Sequence, residues 1–372
     1  MRLDANYWQR RMQGWLELPR VDWPLMIALL LLLCAGLAVL HSASSGNPRV
    51  FTAQVIRDAA GLGALLVLAR VPPMKLRLWA PWIYAATLTL LLLVPILGTG
   101  RSGRHWLNLG AFYIQPAELM KLSVPMMTAA FLHHRTLPPG WSALTVCAAI
   151  IGVPMALIAI QPDLGTALLV GASGAFVIFI AGMTWWRIGL LGLAGAAAAP
   201  LLWFYYLKDY QKQRLLTFMN PEADPLGSGW NIIQSKIAVG SGGMFGKGWG
   251  QGTQSRLDFL PEHTTDFIFA VLGEEFGLVG VCLVLALYLF IIGRSLMIAA
   301  GARDNFGRLL GCSLALTLFV YVMVNGGMVS GLLPVVGVPM PLISYGGTSA
   351  VTLLAGFGIV MSLHGHRKPH LR

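Results

Sequence analysis

Residues 266–293 read DFIFAVLGEEFGLVGVCLVLALYLFIIG, a run of twenty-eight in which only Asp266, Glu274 and Glu275 are charged. About 20 predominantly apolar residues cross the roughly 30 Å hydrocarbon core of a bilayer, so this run is expected to span a membrane. It follows at once on the longest polar stretch of the chain, Lys208 to His263. Nine more apolar runs lie upstream and downstream, near 24–42, 51–70, 78–98, 115–134, 141–160, 164–183, 185–206, 309–331 and 345–364. The second, fourth and ninth spans in chain order are interrupted by polar residues or glycines. The expected fold class is therefore all-α and polytopic: ten transmembrane helices with a large extracytoplasmic loop between spans 7 and 8. One transmembrane domain covers 1–372, with an N-terminal stretch at 1–23, the large outer loop at 207–265 and a tail at 365–372.

Composition agrees. Charged residues make up 11% of the chain and hydrophobic ones 56%, the balance of a membrane protein rather than a soluble domain. The first span is long and lacks a small-residue cleavage site, so it reads as a retained helix. Cations set the orientation. With the N-terminus inside, fifteen Lys and Arg fall on the cytoplasmic side, against Arg49, Arg101 and Arg104 in the short outer loops. Both termini are then cytoplasmic. The net charge of +11 is largely this topology signal plus attraction to anionic lipid headgroups, not a sign of nucleic acid. Cys34, Cys147, Cys282 and Cys312 all lie in apolar runs without paired spacing, which argues for packing rather than metal binding or disulfides.

The stretch before Pro24 mixes Arg10, Arg11 and Arg20 with Trp8, Trp15 and Leu16, the pattern of an interfacial amphipathic helix. In the outer loop, Trp230, Ile233 and Ile237 recur at helical spacing. Gly240 to Gly250 follows, a glycine-rich backbone able to approach a ligand closely. It is not a phosphate-binding P-loop: Ser241 stands at the first required glycine, and Gly248 follows Lys247 where Ser or Thr is needed.

Charges at bilayer depth cost roughly 2.5–3.5 kcal/mol each, so they ask for a reason. Glu118 and Lys121 share one helix face, either as a self-neutralising pair or as the wall of a polar cavity that meets a charged substrate. Arg57 and Asp58 read as a local structural pair. Asp163 follows Pro162, as a helix N-cap or a site residue. Glu222 and Asp224, between Pro221 and Pro225, read as turn residues. Asp266 is either an acid favoured by a helix dipole or a functional group. Glu275 projects to the opposite side, so the two form no close pair on one helix.

Several segments bear a likeness to a known family. They are His41–Ser44, Ile114–Lys121, Gln161–Thr166, Asp209–Arg214, Asn231–Gly243, Gly246–Gly248, Thr253–Ser255, Phe259–Glu262, Thr265–Ala270 and Gly337–Gly347. Their order and spacing resemble the SEDS proteins (shape, elongation, division and sporulation) almost from end to end. The resemblance implies ten spans with both ends cytoplasmic in the inner membrane. It further implies a peptidoglycan glycosyltransferase that polymerises lipid II, on the elongation side of the family, beside a class B penicillin-binding protein and other elongation-complex proteins. Carried over by position, Asp266 matches the acid needed for activity, and Glu118, Lys121 and Asp163 match polar residues of a central cavity. Lys247 and Ser344, in two matched segments, are carried as substrate-binding residues. Two departures matter. Thr264 stands where many relatives have a histidine, with His263 one place early, so no catalytic histidine is assigned. His105 stands where relatives often have Arg, leaving Arg104 or Arg101 as the phosphate contact.

The chemistry implied is attack by a sugar 4-hydroxyl on the anomeric carbon of a second lipid-linked sugar. A positioned carboxylate would contribute about 10²–10⁴ in rate as general base, and Asp266 is the choice. The pyrophosphate leaving group needs cations: Lys121, Arg101, Arg104 and Arg214 are the candidates, and a divalent cation such as Mg would serve the same end. No other cofactor is implied. Two rival readings are a lipid II flippase, which would also put charges in a span, and a scaffold that only recruits a transpeptidase.

Overall fold

The computed structural model describes residues 21–99, 105–108, 110, 113–206, 208–221, 229–256, 260 and 262–366. The expected N-terminal interfacial helix, Arg101, Arg104, Glu222, Asp224 and the tail from 367 lie outside the described residues. The helices of the first half are α1 (Trp23–Ala43), α2 (Pro48–Arg70), α3 (Pro73–Leu97), α4 (Pro116–His133), α5 (Trp141–Ile160) and α6 (Leu164–Ile180). Then come α7 (Trp185–Leu201), α8 (Asp209–Met219), α9 (Trp230–Ser241), the short α10 (Thr253–Arg256), α11 (Ile268–Ala300), α12 (Asn305–Val329) and α13 (Thr348–Gly365). A small hairpin, β1 (Leu107–Asn108) with β2 (Tyr113–Ile114), pairs antiparallel ahead of α4.

Eight of these helices are long and apolar enough to cross a membrane, so the chain is a multi-pass membrane protein. Leu164–Ile180 is apolar but, at 17 residues, shorter. The 18 residues of α4 carry Glu118 and Lys121.

Local chemistry sets the helix starts. Proline occupies the first turn of α1, α2, α3 and α4, where a missing N–H removes no helical bond. Asp22, Asn47, Asp163 and Asp304 each cap a helix with a side-chain oxygen, at 3.0–3.1 Å from a first-turn amide. Asp22 also receives Arg294 in two bonds, at 3.0 and 2.7 Å, which ties the start of α1 to α11. Two apolar clusters result. One joins α1, α2, α11 and α13; the other joins α3, α4, α5 and α6 with the start of α12.

One helix is broken on purpose. Within α11, Gly277 has φ 64° and ψ −164°, outside helical geometry. The glycine-rich segment after α9 fills the break: the amides of Lys247 and Gly248 donate to the carbonyls of Glu274 and Glu275, while those of Leu278 and Val279 donate to Gly243 and Met244. A backbone group left unpaired at membrane depth costs several kcal/mol, and here every one of these finds a partner. A Cβ on Gly246 would sit 2.1 Å from the Glu275 carbonyl oxygen, so only glycine fits. The sequence suggested that this run approaches a ligand; in the fold it approaches another backbone. The helical piece expected from Trp230 is α9. The helix buries Ile232, Ser235 and Ala238, and leaves Ile237 46% exposed, because Ser235 must reach the Val329 carbonyl at 2.9 Å.

Candidate functional site: a charged cavity at converging helix ends

A cavity of about 990 Å³ opens where four helices begin. Gln115 and Gly347, the N-caps of α4 and α13, line it, as do Asp163, the N-cap of α6, and Asp266, one residue before the N-cap of α11. Each helix start carries about half a positive charge on its open amides, which acts on the cavity together with the carboxylates of Glu118, Asp163 and Asp266 and the cations Arg57 and Lys121 that line it. The end of α13 that faces it has no side-chain cap.

Asp266 is held by two loops zipped together. Ser344 donates to the Thr265 carbonyl at 2.6 Å, and the Tyr345 amide donates to the Thr264 carbonyl at 2.9 Å. Asn325 donates to the carbonyls of both Asp266 and Val338, at 2.9 and 2.7 Å. Gly337, with φ 72°, lies beside the carboxylate; a Cβ there would stand 3.5 Å from Asp266 Oδ2. Burial pushes the carboxyl of Asp266 up to about 7, helped by the negative charge of Glu262 and a hydrogen bond with its carboxyl, and opposed by Arg214. A group with that affinity for protons is well matched to general-base work near neutral pH.

Glu118 and Lys121 form the ion pair that one reading of the sequence expected, and that pair stands in a cavity wall. They pair at 2.5 Å and both line the cavity. Lys121 also donates to the Tyr321 hydroxyl, and Thr352 reaches Glu118 at 3.5 Å. Asp163 likewise does two things: Oδ1 caps α6 at 3.0 Å, and Oδ2 accepts from Gln115 at 3.2 Å. A second chamber of about 590 Å³ shares Asp163 and Gly337 with the first and adds His105, Gln211 and Arg214. Arg214 thus belongs beside the first cavity rather than in its lining.

Three other groups stand apart from the site or from each other. Lys247 stands outside both chambers and pairs with Glu274 at 2.7 Å, as a counter-ion. Ser344 also lies off the cavity, its hydroxyl bonded to the Met340 amide and the Thr265 carbonyl, so it positions the loop beside Asp266. Arg57 and Asp58 do not form a closed pair: Gln54 holds Asp58 at 2.9 Å, and Arg57 lines the cavity. His263 Nδ1 is engaged with the Leu260 carbonyl at 2.8 Å. Among the described residues no three His, Cys, Asp or Glu side chains gather as a metal site. Glu262 and Asp266 are the two acids in contact, too few donors on their own, so no step is derived through a metal.

Fold and cavity together define a helical membrane protein with a charged chamber at the shared end of its helices. The FtsW/RodA/SpoVE family, described as cell cycle protein, matches residues 22–369, and the chain belongs to it. Peptidoglycan glycosyltransferase MrdB of Escherichia coli (strain K12) is 49% identical over 94% of this chain and 94% of its own length. Stage V sporulation protein E of Bacillus subtilis (strain 168) is 37% identical over 92% and 96%. Among solved structures, a chain of a peptidoglycan synthase complex described as coordinating polymerization and crosslinking superposes with TM-score 0.82 at 33% identity, covering 94% of this chain and 99% of that one. The Thermus thermophilus rod shape determining protein RodA does so with TM-score 0.71 at 30% identity, covering 93% and 97%.

Proposed function

We propose that this chain, a peptidoglycan glycosyltransferase, polymerises lipid II with Asp266 as the general base. The observation that carries this reading is the meeting of Asp266, Asp163 and the Glu118–Lys121 pair on one cavity ringed by helix N-termini. The 4-hydroxyl of one lipid-linked disaccharide gives its proton to Asp266 as its oxygen bonds to the anomeric carbon of the other sugar. The bond from that carbon to pyrophosphate breaks, and undecaprenyl pyrophosphate leaves with the electron pair. Direct displacement turns an α-linked donor into a β-linked product. Helix N-termini and cavity cations offset the charge that builds on the leaving group. Asp163 and Lys121 with Glu118 keep the chamber polar and shaped.

Ten spans with both ends cytoplasmic complete the proposal, supported by the fifteen-to-three cation asymmetry. The loop at 207–265 and the cavity then face outward, in the inner membrane, where a class B penicillin-binding protein crosslinks the emerging strand. Likeness to a chain of a peptidoglycan synthase complex supports that partner.

The test supplies lipid II in detergent, where flipping has no meaning, to the protein with its transpeptidase inactivated. Glycan chains from the unaltered protein that vanish with Asp266→Asn are the expected result. Equal polymerisation by Asp266→Asn removes it from the base role, and no polymer from the unaltered complex favours a transporter or scaffold.

A further inference from the structure

We propose that Arg57, in the third turn of α2, is the cation that grips the pyrophosphate of the lipid-linked substrate in the central cavity. The inference deepens the polymerase reading and rests on it. Two cations line the cavity among the described residues, Lys121 and Arg57. Lys121 is already engaged. Its ammonium meets the Glu118 carboxylate at 2.5 Å and the Tyr321 hydroxyl, and is only 7% exposed. An ammonium has three donors, so binding an anion there would mean competing with a buried carboxylate.

Arg57 is in the opposite condition. Its Nη1 is buried and has no hydrogen-bond partner among the described residues. The guanidinium lies over the Tyr345 ring, 4.5 Å from its centre, which fixes its plane without using its donors. The neighbouring acid lies near enough to feel its charge but does not pair with Nη1; Asp58 accepts from Gln54 at 2.9 Å on the buried side of α2. A buried guanidinium donor without an acceptor is costly and rare in native structures. The planar fork of Arg suits a phosphate oxygen pair better than any group the cavity supplies. Two further features agree with an anion at this spot. Gly346, Gly347 and Thr348 also line the cavity, at the uncapped start of α13, and the Thr348 hydroxyl is likewise buried without a partner. Tyr345 itself is bonded through its amide to Thr264, two residues from Asp266. Arg57 and the general base are thus coupled through one short loop, which is the arrangement needed to place a leaving group near the base.

The experiment compares the unaltered protein with Arg57→Ala, Arg57→Gln and Arg57→Lys. Initial rates of lipid II polymerisation are measured against substrate concentration, and inhibition is measured with farnesyl pyrophosphate and with farnesol. Loss of one charge-assisted contact should weaken inhibition by the pyrophosphate roughly 10- to 100-fold, raise KM, and leave inhibition by farnesol unchanged. Arg57→Lys should recover part of the loss. Wild-type KM and wild-type inhibition in a folded Arg57→Ala protein would overturn the proposal. If Arg57→Ala does not accumulate, a folded Arg57→Gln protein with wild-type inhibition overturns it equally. Failure of the polymerase reading has a different signature: no polymer from the unaltered protein, or full activity in Asp266→Asn. Direct binding of fluorescent farnesyl pyrophosphate to the unaltered protein but not to Arg57→Ala would then still support the anion site.

Discussion

Asp266 and Glu274 stand eight residues apart at the head of one helix, and the protein treats them in opposite ways. Glu274 is fully buried, and its carboxylate accepts from Lys247 at 2.7 Å, from the Thr253 amide and hydroxyl at 2.8 and 2.9 Å, and from the Gln254 amide at 3.2 Å. Asp266 faces a cavity, and its nearest titratable neighbour is another acid, Glu262. The first carboxylate is surrounded by donors and serves the fold. The second is short of donors and retains an appetite for protons. The difference separates structure from chemistry where residue type cannot.

The comparison breaks most visibly at Asp266. Asp266→Asn should lower polymerisation by about 10²–10⁴-fold, the usual contribution of a positioned base. Its effect on stability should run the other way. A carboxyl raised to about 7 in the fold favours the folded state below its unfolded value and loses that contribution as pH rises through about 7. At pH 8 the ionised group disfavours folding, so the neutral amide should raise the unfolding midpoint. A midpoint that falls would mean Asp266 holds the structure together.

Glu274→Ala is the mirror experiment. It strands Lys247 and the donors of α10, and losing one partner of a buried pair typically costs about 3–5 kcal/mol, less here because Lys247 is partly exposed. Activity per folded molecule should be retained at permissive temperature. A folded Glu274→Ala protein without activity would erase the contrast. Gly246→Ala should act on the same region: its φ of 80° alone costs roughly 1–3 kcal/mol, and the 2.1 Å approach to the Glu275 carbonyl, which is backbone and cannot swing aside, adds to that. Thermal unfolding in detergent reads both.

Much of the contrast could be read from the sequence, for a physical reason. Charges at membrane depth are expensive, so Glu118 and Lys121 stood out by themselves; Asp163 and Asp266, each also readable as an acid at a helix start, were marked by the family resemblance, and all four line one cavity. What the sequence hid is contact between distant segments. Lys247 looked like a substrate contact because Glu274, 27 residues on, meets it only after α11 breaks at Gly277. The bond from Ser344 to Thr265, 79 residues earlier, was equally out of sight. Arg57 and Asp58, adjacent in sequence, part company in the fold: Gln54 holds Asp58 and Arg57 lines the cavity. Residues i and i+1 of a helix point about 100° apart, so Asp58 cannot face the same surface. A helical projection of α2 separates the two residues and sets Arg57 apart from Asp58.

The finest test lies in the surroundings of Asp266 and reads the sign of a small change. The base must be ionised to accept a proton, so polymerisation should rise with pH through about 7. Burial is the main cause of that value and no single substitution removes it. Glu262→Gln takes away a like charge and a carboxyl contact, so the acid limb should move to lower pH without reaching the ordinary carboxylate range. Arg214 opposes the shift, so Arg214→Gln should move the same limb to higher pH. Initial rates across roughly pH 5–9 at saturating lipid II, with Asp266→Glu as reference, measure both displacements. Opposite movements from two residues on either side of one carboxylate have no explanation in general loosening of the fold. A limb that stays put in both variants would mean that the group titrating in the rate is not Asp266, and the distinction between Asp266 and Glu274 would have to be drawn elsewhere.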